Sequence, residues 1–532
     1  MDNNEQKTYK KAAEDVKADG SIRATMVSSA ESEWRPSKRV KLIVAAQAFI
    51  LFVASLDMTI LTTTLPAIAE ALKISATGSF WVAASYLLTA AVFQPPIGAL
   101  ADIFGRRSMF FTSVLFFTIG SLICCFCTNI AGMLAGRSIQ GIGGGGILTM
   151  NLIVLSDIIP LRQRSKYMGG ALIQHTTWRW IFYINLPFCG VGLAIIPFLY
   201  KYERPDTTLQ SKVRSIDWIG CGLFIISTTA FLVGLSWGGN QYPWGSAATL
   251  CPLLLGILGL AATVVWELLG AKNPFLRLTI FSNRSAIAAY ICTVLMAVLM
   301  LSCSYYLVIY FVAVKQFSPV IAGVALLPLG LSNVPVSGIV GGLISKLGKY
   351  QWAIWSGWCI ATLGVGVLTI LGTDTTTVAF VFMLLCAGVG QGLLLISLNA
   401  STQAVSPNKD VAYASCMYAF TRSLGLCLGV ALGGTVFQNM LSNRLQHLGL
   451  PSEIALDAVG YIPVLRAMVP SSSKRELIGA YAWALRMVFA TLTGIGGLGL
   501  VLGFTVGRYS LDKTLDSEHV LKEAETSVES SA

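Results

Sequence analysis

The sequence predicts an all-α polytopic membrane protein. Three observations carry this reading. Only 12% of the 532 residues are charged, 55% are hydrophobic, and the mean hydropathy is +0.69. The charges gather at the ends: of 37 basic and 26 acidic residues, residues 1–41 hold 16 and residues 508–532 hold 9. Between these tails the apolar residues form runs of about 20, the length a helix needs to cross a bilayer. No water-soluble fold hides that much apolar surface, which excludes a soluble enzyme, a secreted disulfide scaffold and a disordered chain.

Residues 1–41 read as a polar, disordered cytoplasmic tail without a cleavable signal peptide. Arg35, Lys38, Arg39 and Lys41 abut the first apolar run and place the N-terminus in the cytosol. Thirteen runs follow, at 42–65, 81–101, 108–128, 130–155, 180–200, 218–236, 247–266, 286–314, 319–344, 351–372, 375–400, 411–438 and 487–507. Trp81, Trp180, Trp218, Trp237, Trp244, Trp266 and Trp352 mark their ends, as interfacial aromatics do. The organisation expected is an N-terminal helix bundle over 42–200 and a linker with two extra transmembrane helices over 201–266. A C-terminal bundle follows over 267–507, with an outer loop at 439–486 and a short amphipathic helix within it at 453–468. Residues 508–532 form a cytoplasmic tail.

Several tempting features have plain explanations. The net charge of +11 sits in short segments between apolar runs, so it reads as loop charge and not as a nucleic-acid surface. The 12 cysteines lie in the runs or at their ends and read as small packing residues. His175, His447 and His519 are too few and too scattered for a di-iron site. Gly141 to Gly146 forms a formal G-x-G-x-x-G, but no strand precedes it. Together with four-residue spacings such as Gly132/Gly136, Gly338/Gly342, Gly388/Gly392 and Gly425/Gly429, it predicts close helix packing. No cofactor, metal, catalytic group or Walker sequence is expected. Asn283 and Asn399 head N-x-S motifs at cytoplasmic loops or span ends, where glycosylation is not expected.

Loop charge tests the topology. With one further crossing between the fourth and fifth runs, the short inner loops carry 15 Lys and Arg and the short outer loops 3 (Lys73, Arg179 and Lys315). Without it the bias reverses, to 7 inside and 11 outside, so the charges call for fourteen crossings. Residues 156–178 cannot supply a crossing, because only 12 residues separate Lys166 from Arg179. The segment is either a re-entrant stub or the site of a lost helix, through deletion or mis-splicing between Gly169 and His175. The second reading is favoured. An internal repeat fits a two-part plan: Gly98 to Arg106 resembles Gly341 to Lys349, and Gln140-Gly141 echoes Gln391-Gly392.

Three charges lie well inside runs: Asp57, Arg137 and Arg422. Each costs at least about 2.5–3.5 kcal/mol at bilayer depth and is a functional candidate on that ground, with an interhelix ion pair or a snorkelling side chain as the alternative. Asp57 is the acid that could bind a proton or pair with Arg137. The tight Gly98–Arg107 loop carries Asp102, which can accept hydrogen bonds from Arg106, Arg107 or a neighbouring helix N-terminus and so latch the cytoplasmic mouth.

In order along the chain these residues resemble the major facilitator superfamily, in its fourteen-span drug–proton antiporter branch of fungal type. Leu56-Asp57-Met58-Thr59-Ile60 with Leu65-Pro66 is similar to the first-helix motif of that branch, although Thr62, Thr63 and Thr64 replace N-V-A. Gly98 to Arg107, with Asp102, Gly105 and Arg106, matches the loop motif. Arg137-Ser-Ile-Gln140-Gly141-Ile-Gly143 matches the fourth-helix motif, whose arginine the resemblance implicates in proton transfer. Trp178 to Pro187 resembles the entry to the sixth helix, and Arg422 with Gly425 fits the thirteenth. The fifth-helix antiporter motif is absent, with Gly169 to Leu172 as its remnant.

The resemblance implies two pseudo-symmetric six-helix bundles plus two linker helices. It implies proton-coupled efflux of a hydrophobic small molecule such as a drug, toxin or secondary metabolite, by a monomer in the plasma membrane or, second, the vacuolar membrane. A nutrient or siderophore–proton transporter and an inactive truncated chain are the competing readings. The expected partners are the small-molecule substrate, protons and the bilayer, without nucleic acid.

Overall fold

The computed structural model describes residues 37–72, 76–164, 178–199, 208–238 and 241–513. The chain divides into a first unit, residues 1–45, and a second, residues 46–532. Of the first, the described residues supply the opening turns of helix α1 (Lys38–Leu72); every later helix belongs to the second.

Helices α2 (Ala76–Phe104), α3 (Arg106–Phe126), α4 (Ile130–Ile158) and the single turn α5 (Leu161–Arg164) come next, then α6 (Trp178–Leu199). The short α7 (Leu209–Arg214) leads into α8 (Trp218–Trp237) and α9 (Ala247–Leu269), which pack on each other. Then come α10 (Arg284–Ile309), α11 (Pro319–Leu347), α12 (Gln351–Val367), α13 (Thr377–Val405), α14 (Val411–His447), α15 (Ile462–Ala467) and α16 (Ser472–Gly503). Among the described residues eleven helical stretches are long and apolar enough to cross a membrane, and α1 and α6 lie over the first and fifth predicted runs. The fold is all-α and polytopic. The segment 165–177, where the Gly169–Leu172 remnant and either a re-entrant stub or a lost helix were expected, lies outside the described residues.

Local chemistry sets the helix ends. Asn129, Ser246, Ser318, Thr376 and Ser471 each cap a helix through the side-chain oxygen, as short polar residues do at N-termini. Two helices extend beyond their apolar runs into the predicted outer loop. The run 411–438 continues to His447, and the run 487–507 begins as a helix already at Ser472. Arg444, Lys474, Arg475, Glu476 and Arg486 interrupt the hydropathy there but are good helix formers. The connection therefore shortens from 439–486 to 448–471. A 3₁₀ turn at Ser452–Ala455 and α15 stand where one amphipathic helix over 453–468 was expected.

α4 is the most buried of the eleven stretches and α9 the least. The glycine run explains α4's position. A methyl on Gly141 would lie 2.1 Å from Thr89 Oγ1 and 2.5 Å from the Tyr86 carbonyl on α2, and one on Gly143 would lie 2.2 Å from the Phe117 amide on α3. Glycine alone admits both neighbours at this range, so the run is a packing device and not a nucleotide loop. The later helices repeat the plan: Gly392 of α13 meets the Asn333 carbonyl of α11, and Gly390 meets the Ala361 amide of α12. α14 packs against α10, α13 and α16, and also against α2 and α4. Gly98 permits the approach to α2, since a methyl there would lie 2.5 Å from Cys416 Sγ.

Candidate functional site: two charge networks

The first network is assembled from five helices. Asp57 of α1 is fully buried and Arg137 of α4 is 1% exposed. Arg137 Nη1 donates to Asp57 Oδ2 at 2.5 Å and to Gln140 Oε1 at 2.6 Å, while Nε donates to the Val82 carbonyl of α2 at 3.3 Å. Asp57 Oδ1 accepts from Gln140 Nε2 at 3.0 Å and from Asn185 Nδ2 of α6 at 3.1 Å. Gln140 also donates to Ser121 Oγ of α3 at 2.9 Å. The Arg137 guanidinium lies 4.4 Å from the centre of the Tyr86 ring, which closes the arrangement from α2. Both carboxylate oxygens are thus held by named donors, as a charge buried away from water requires.

The spacing explains the geometry. Arg137 and Gln140 are three residues apart on α4 and share one helix face. Gly141 and Gly143 bring the backbones of α2 and α3 close enough for Tyr86, Val82 and Ser121 to reach that face.

The second network lies at the end of the bundle predicted to face the cytosol. Gly105, at φ 89°, makes the turn between α2 and α3 and sets Arg106 as the first residue of α3. Arg106 is 4% exposed; its Nη1 donates to Asp102 Oδ1 at 2.5 Å and its Nε to Asp157 Oδ2, near the end of α4, at 2.9 Å. The other oxygen of Asp102 accepts from Arg277 Nη2 at 3.0 Å. Arg277 Nη1 reaches Asp410 Oδ1 at 3.1 Å, at the start of α14, and Thr279 Oγ1 donates to Asp410 Oδ2 at 3.0 Å. Asp102 thus bridges two arginines that are 171 positions apart in sequence.

A third set of contacts lies at the repeat of that loop. Gly348 (φ 64°) makes the corresponding turn, and Ser345 stands where Asp102 stood. Arg162 Nε donates to the Ser345 carbonyl at 3.0 Å, and Arg162 Nη1 pairs with Asp512 at 3.0 Å. Arg164 donates to Gln403 of α13, and Lys513 Nζ donates to the carbonyls of Gln403 and Ser406. Burial, with the Arg164 charge nearby, pushes the Lys513 ammonium down to about 8.

A family model for the Major Facilitator Superfamily matches residues 48–430. The chain belongs to the major facilitator superfamily. Its relatives include "MFS transporter L2" of a Phoma species, 37% identical over 94% of this chain and 87% of the relative. "Efflux pump FUS6" of Gibberella fujikuroi is 34% identical over 93% of this chain and 94% of the pump. The "Acurin A biosynthesis cluster MFS-type transporter" of Aspergillus aculeatus is 34% identical over 90% and 91%. Among solved structures, the human organic anion transporter MFSD10 aligns with 88% of this chain and all of its own at a TM-score of 0.53 and 15% identity, a likeness of fold.

Within this superfamily chain the structure brings together Asp57, Arg137 and Gln140, and separately Asp102, Gly105 and Arg106, with Gly98 at the helix contact beside them. Arg107, offered as an alternative partner of Asp102, makes no ion pair among the described residues; Arg277 takes that place. Arg422 joins neither network. It is half-buried on α14, and its Nε is buried without a hydrogen-bond partner among the described residues. Gly425 serves packing, 2.4 Å from the Val294 carbonyl of α10 when given a methyl.

Sequence reasoning missed Asn185, Ser121 and Tyr86 around Asp57, and Asp157, Arg277 and Asp410 around Asp102. The first three are uncharged residues of apolar runs, where hydropathy raises no flag. The last three lie at run ends and in loops, where Arg277 reads as ordinary inner-loop charge.

Proposed function

We propose that this chain is a proton-coupled exporter of hydrophobic small molecules, such as drugs, toxins or secondary metabolites, acting as a monomer in the plasma membrane. The observation that carries the reading is Asp57, a fully buried acid held by the equally buried Arg137. Such a pair offers two states. With Asp57 ionised, Arg137 is answered and the helices α1, α2, α4 and α6 are tied together. With Asp57 protonated, the charge answering Arg137 is gone, and the guanidinium must find other partners. Proton binding therefore changes which helix arrangement is favoured, as alternating access requires.

The network at Asp102 supplies the other half of the cycle. Arg106, Asp102, Arg277 and Asp410 join the α2–α3 loop to the start of α14. Closed, they hold the cytoplasmic mouth shut and favour the state open to the outside. The names of the relatives, an efflux pump and a biosynthesis-cluster transporter among them, favour export over uptake.

The test uses the full chain in liposomes with an imposed proton gradient and a panel of hydrophobic dyes and fungal metabolites. Export requires gradient-driven movement of at least one compound together with counterflow of protons, and loss of both in Asp57→Asn. Movement that is indifferent to the gradient, or that survives Asp57→Asn with proton flux intact, overturns the reading.

A further inference from the structure

Two acids on the linker helices stand outside both networks. Asp217 caps α8, where its Oδ1 accepts from the Gly220 amide at 2.9 Å, and both of its oxygens lie 3.1 Å from the Trp266 indole nitrogen. Glu267, in the last turn of α9, accepts from the Leu276 amide through Oε2 at 3.3 Å. It is 6% exposed, and its Oε1 is buried without a partner among the described residues. The two acids occupy one small space. A methyl on Gly220 would lie 2.2 Å from Asp217 Oδ2 and 2.7 Å from Glu267 Oε1.

No described neighbour neutralises this pair. Among the described residues no lysine, arginine or histidine is within ion-pair distance of either acid. Cys221 faces them from α8. Tyr413 faces Glu267 from α14, and its ring centre is 5.7 Å from the Arg277 guanidinium. An ionised Glu267, buried against the partly exposed Asp217 carboxylate with no cation between them among the described residues, is repelled by it and leaves Oε1 unsatisfied. One proton removes both difficulties.

We propose that Asp217 and Glu267 form a proton-binding pair, separate from Asp57, in which Glu267 Oε1 carries the proton and donates it to Asp217 Oδ2. Binding forms one O–H bond from a carboxylate lone pair as one O–H bond of a hydronium ion breaks and leaves water, with no change of oxidation state. The site has a route to the latch. Glu267 accepts from the amide of Leu276, and the next residue is Arg277, which holds Asp102 and Asp410. A neutral Glu267 accepts that amide more weakly than an ionised one. Protonation in the linker helices therefore bears on Arg277 through a single peptide unit.

Infrared difference spectroscopy of the full chain in lipid, at neutral and alkaline pH, tests this without relying on transport. The wild type is expected to show a protonated-carboxyl C=O band that shifts in D₂O and persists in Asp57→Asn. Glu267→Gln is expected to lose it. Asp217→Asn is expected to lose it as well, since the new amide can donate to an ionised Glu267; should either variant misfold, the other decides. No band in the wild type, a band unchanged in a folded Glu267→Gln or Asp217→Asn, or its loss in Asp57→Asn overturns the proposal. These outcomes are independent of whether the chain exports anything, so failure here and failure of the export reading are separate results.

Discussion

Arg137 donates to Asp57 at 2.5 Å, across 80 positions of sequence, with neither side chain more than 1% exposed. A buried pair of this kind is costly to break from one side, because the surviving charge has no solvent to turn to. Asp57→Ala and Arg137→Ala should each lower stability by about 3–5 kcal/mol. The double variant should lose much less than the sum, as expected for residues in direct contact. Denaturant unfolding of the purified protein in detergent measures all three. Additive losses would mean that the contact contributes little.

The glycine packing can be tested by contrast. Gly143→Ala places a methyl 2.2 Å from a backbone amide, which no side-chain rotation relieves. A loss of at least about 1–3 kcal/mol is expected, seen as poor recovery of monodisperse protein. Gly342, where the four-residue spacing predicts close packing, instead faces open space on α11: Gly342→Ala meets nothing within 4 Å and should be neutral or stabilising by up to about 1 kcal/mol. Equal behaviour of the two variants would refute the close-approach account.

Arg277→Gln removes one arginine from two acids, Asp102 and Asp410. Arg277 is 40% exposed, so the loss is modest, about 1 kcal/mol, or roughly a fivefold shift in the closed-to-open ratio. Cys416, buried where α14 meets Gly98 of α2, reports that shift. In a background with the other cysteines replaced, its alkylation should be about fivefold faster in Arg277→Gln. An unchanged rate would show that the latch does not control this contact.

Lys513 predicts a pH effect with a definite sign. Its ammonium titrates near 8 when docked and near its ordinary 10.5 when released. The released form therefore binds more protons between these values, and docking strengthens as pH rises through that window. Below about 8 both forms are charged and the full penalty is present. Hydrogen exchange of residues 507–513, corrected for intrinsic rates, should slow from pH 7.5 to 10. Lys513→Met should abolish the pH dependence.

The membrane class, the order of the helices and the chemical candidates at Asp57, Arg137 and Asp102 were all legible in the linear sequence. They follow from hydropathy, from the cost of a charge in hydrocarbon and from short motifs, all of which are local along the chain. Helix ends at His447 and Ser472 escaped it, because charged residues stop an apolar run without stopping a helix. The partners emerged only once the helices were packed. Asn185 reaches Asp57 and Arg277 reaches Asp102 from 128 and 175 residues away. Such pairing depends on which helix faces meet, and that is set by the close approaches at Gly98, Gly141 and Gly143. A hydrogen bond needs atoms within about 3 Å, a condition that sequence spacing can meet within one helix but not between helices.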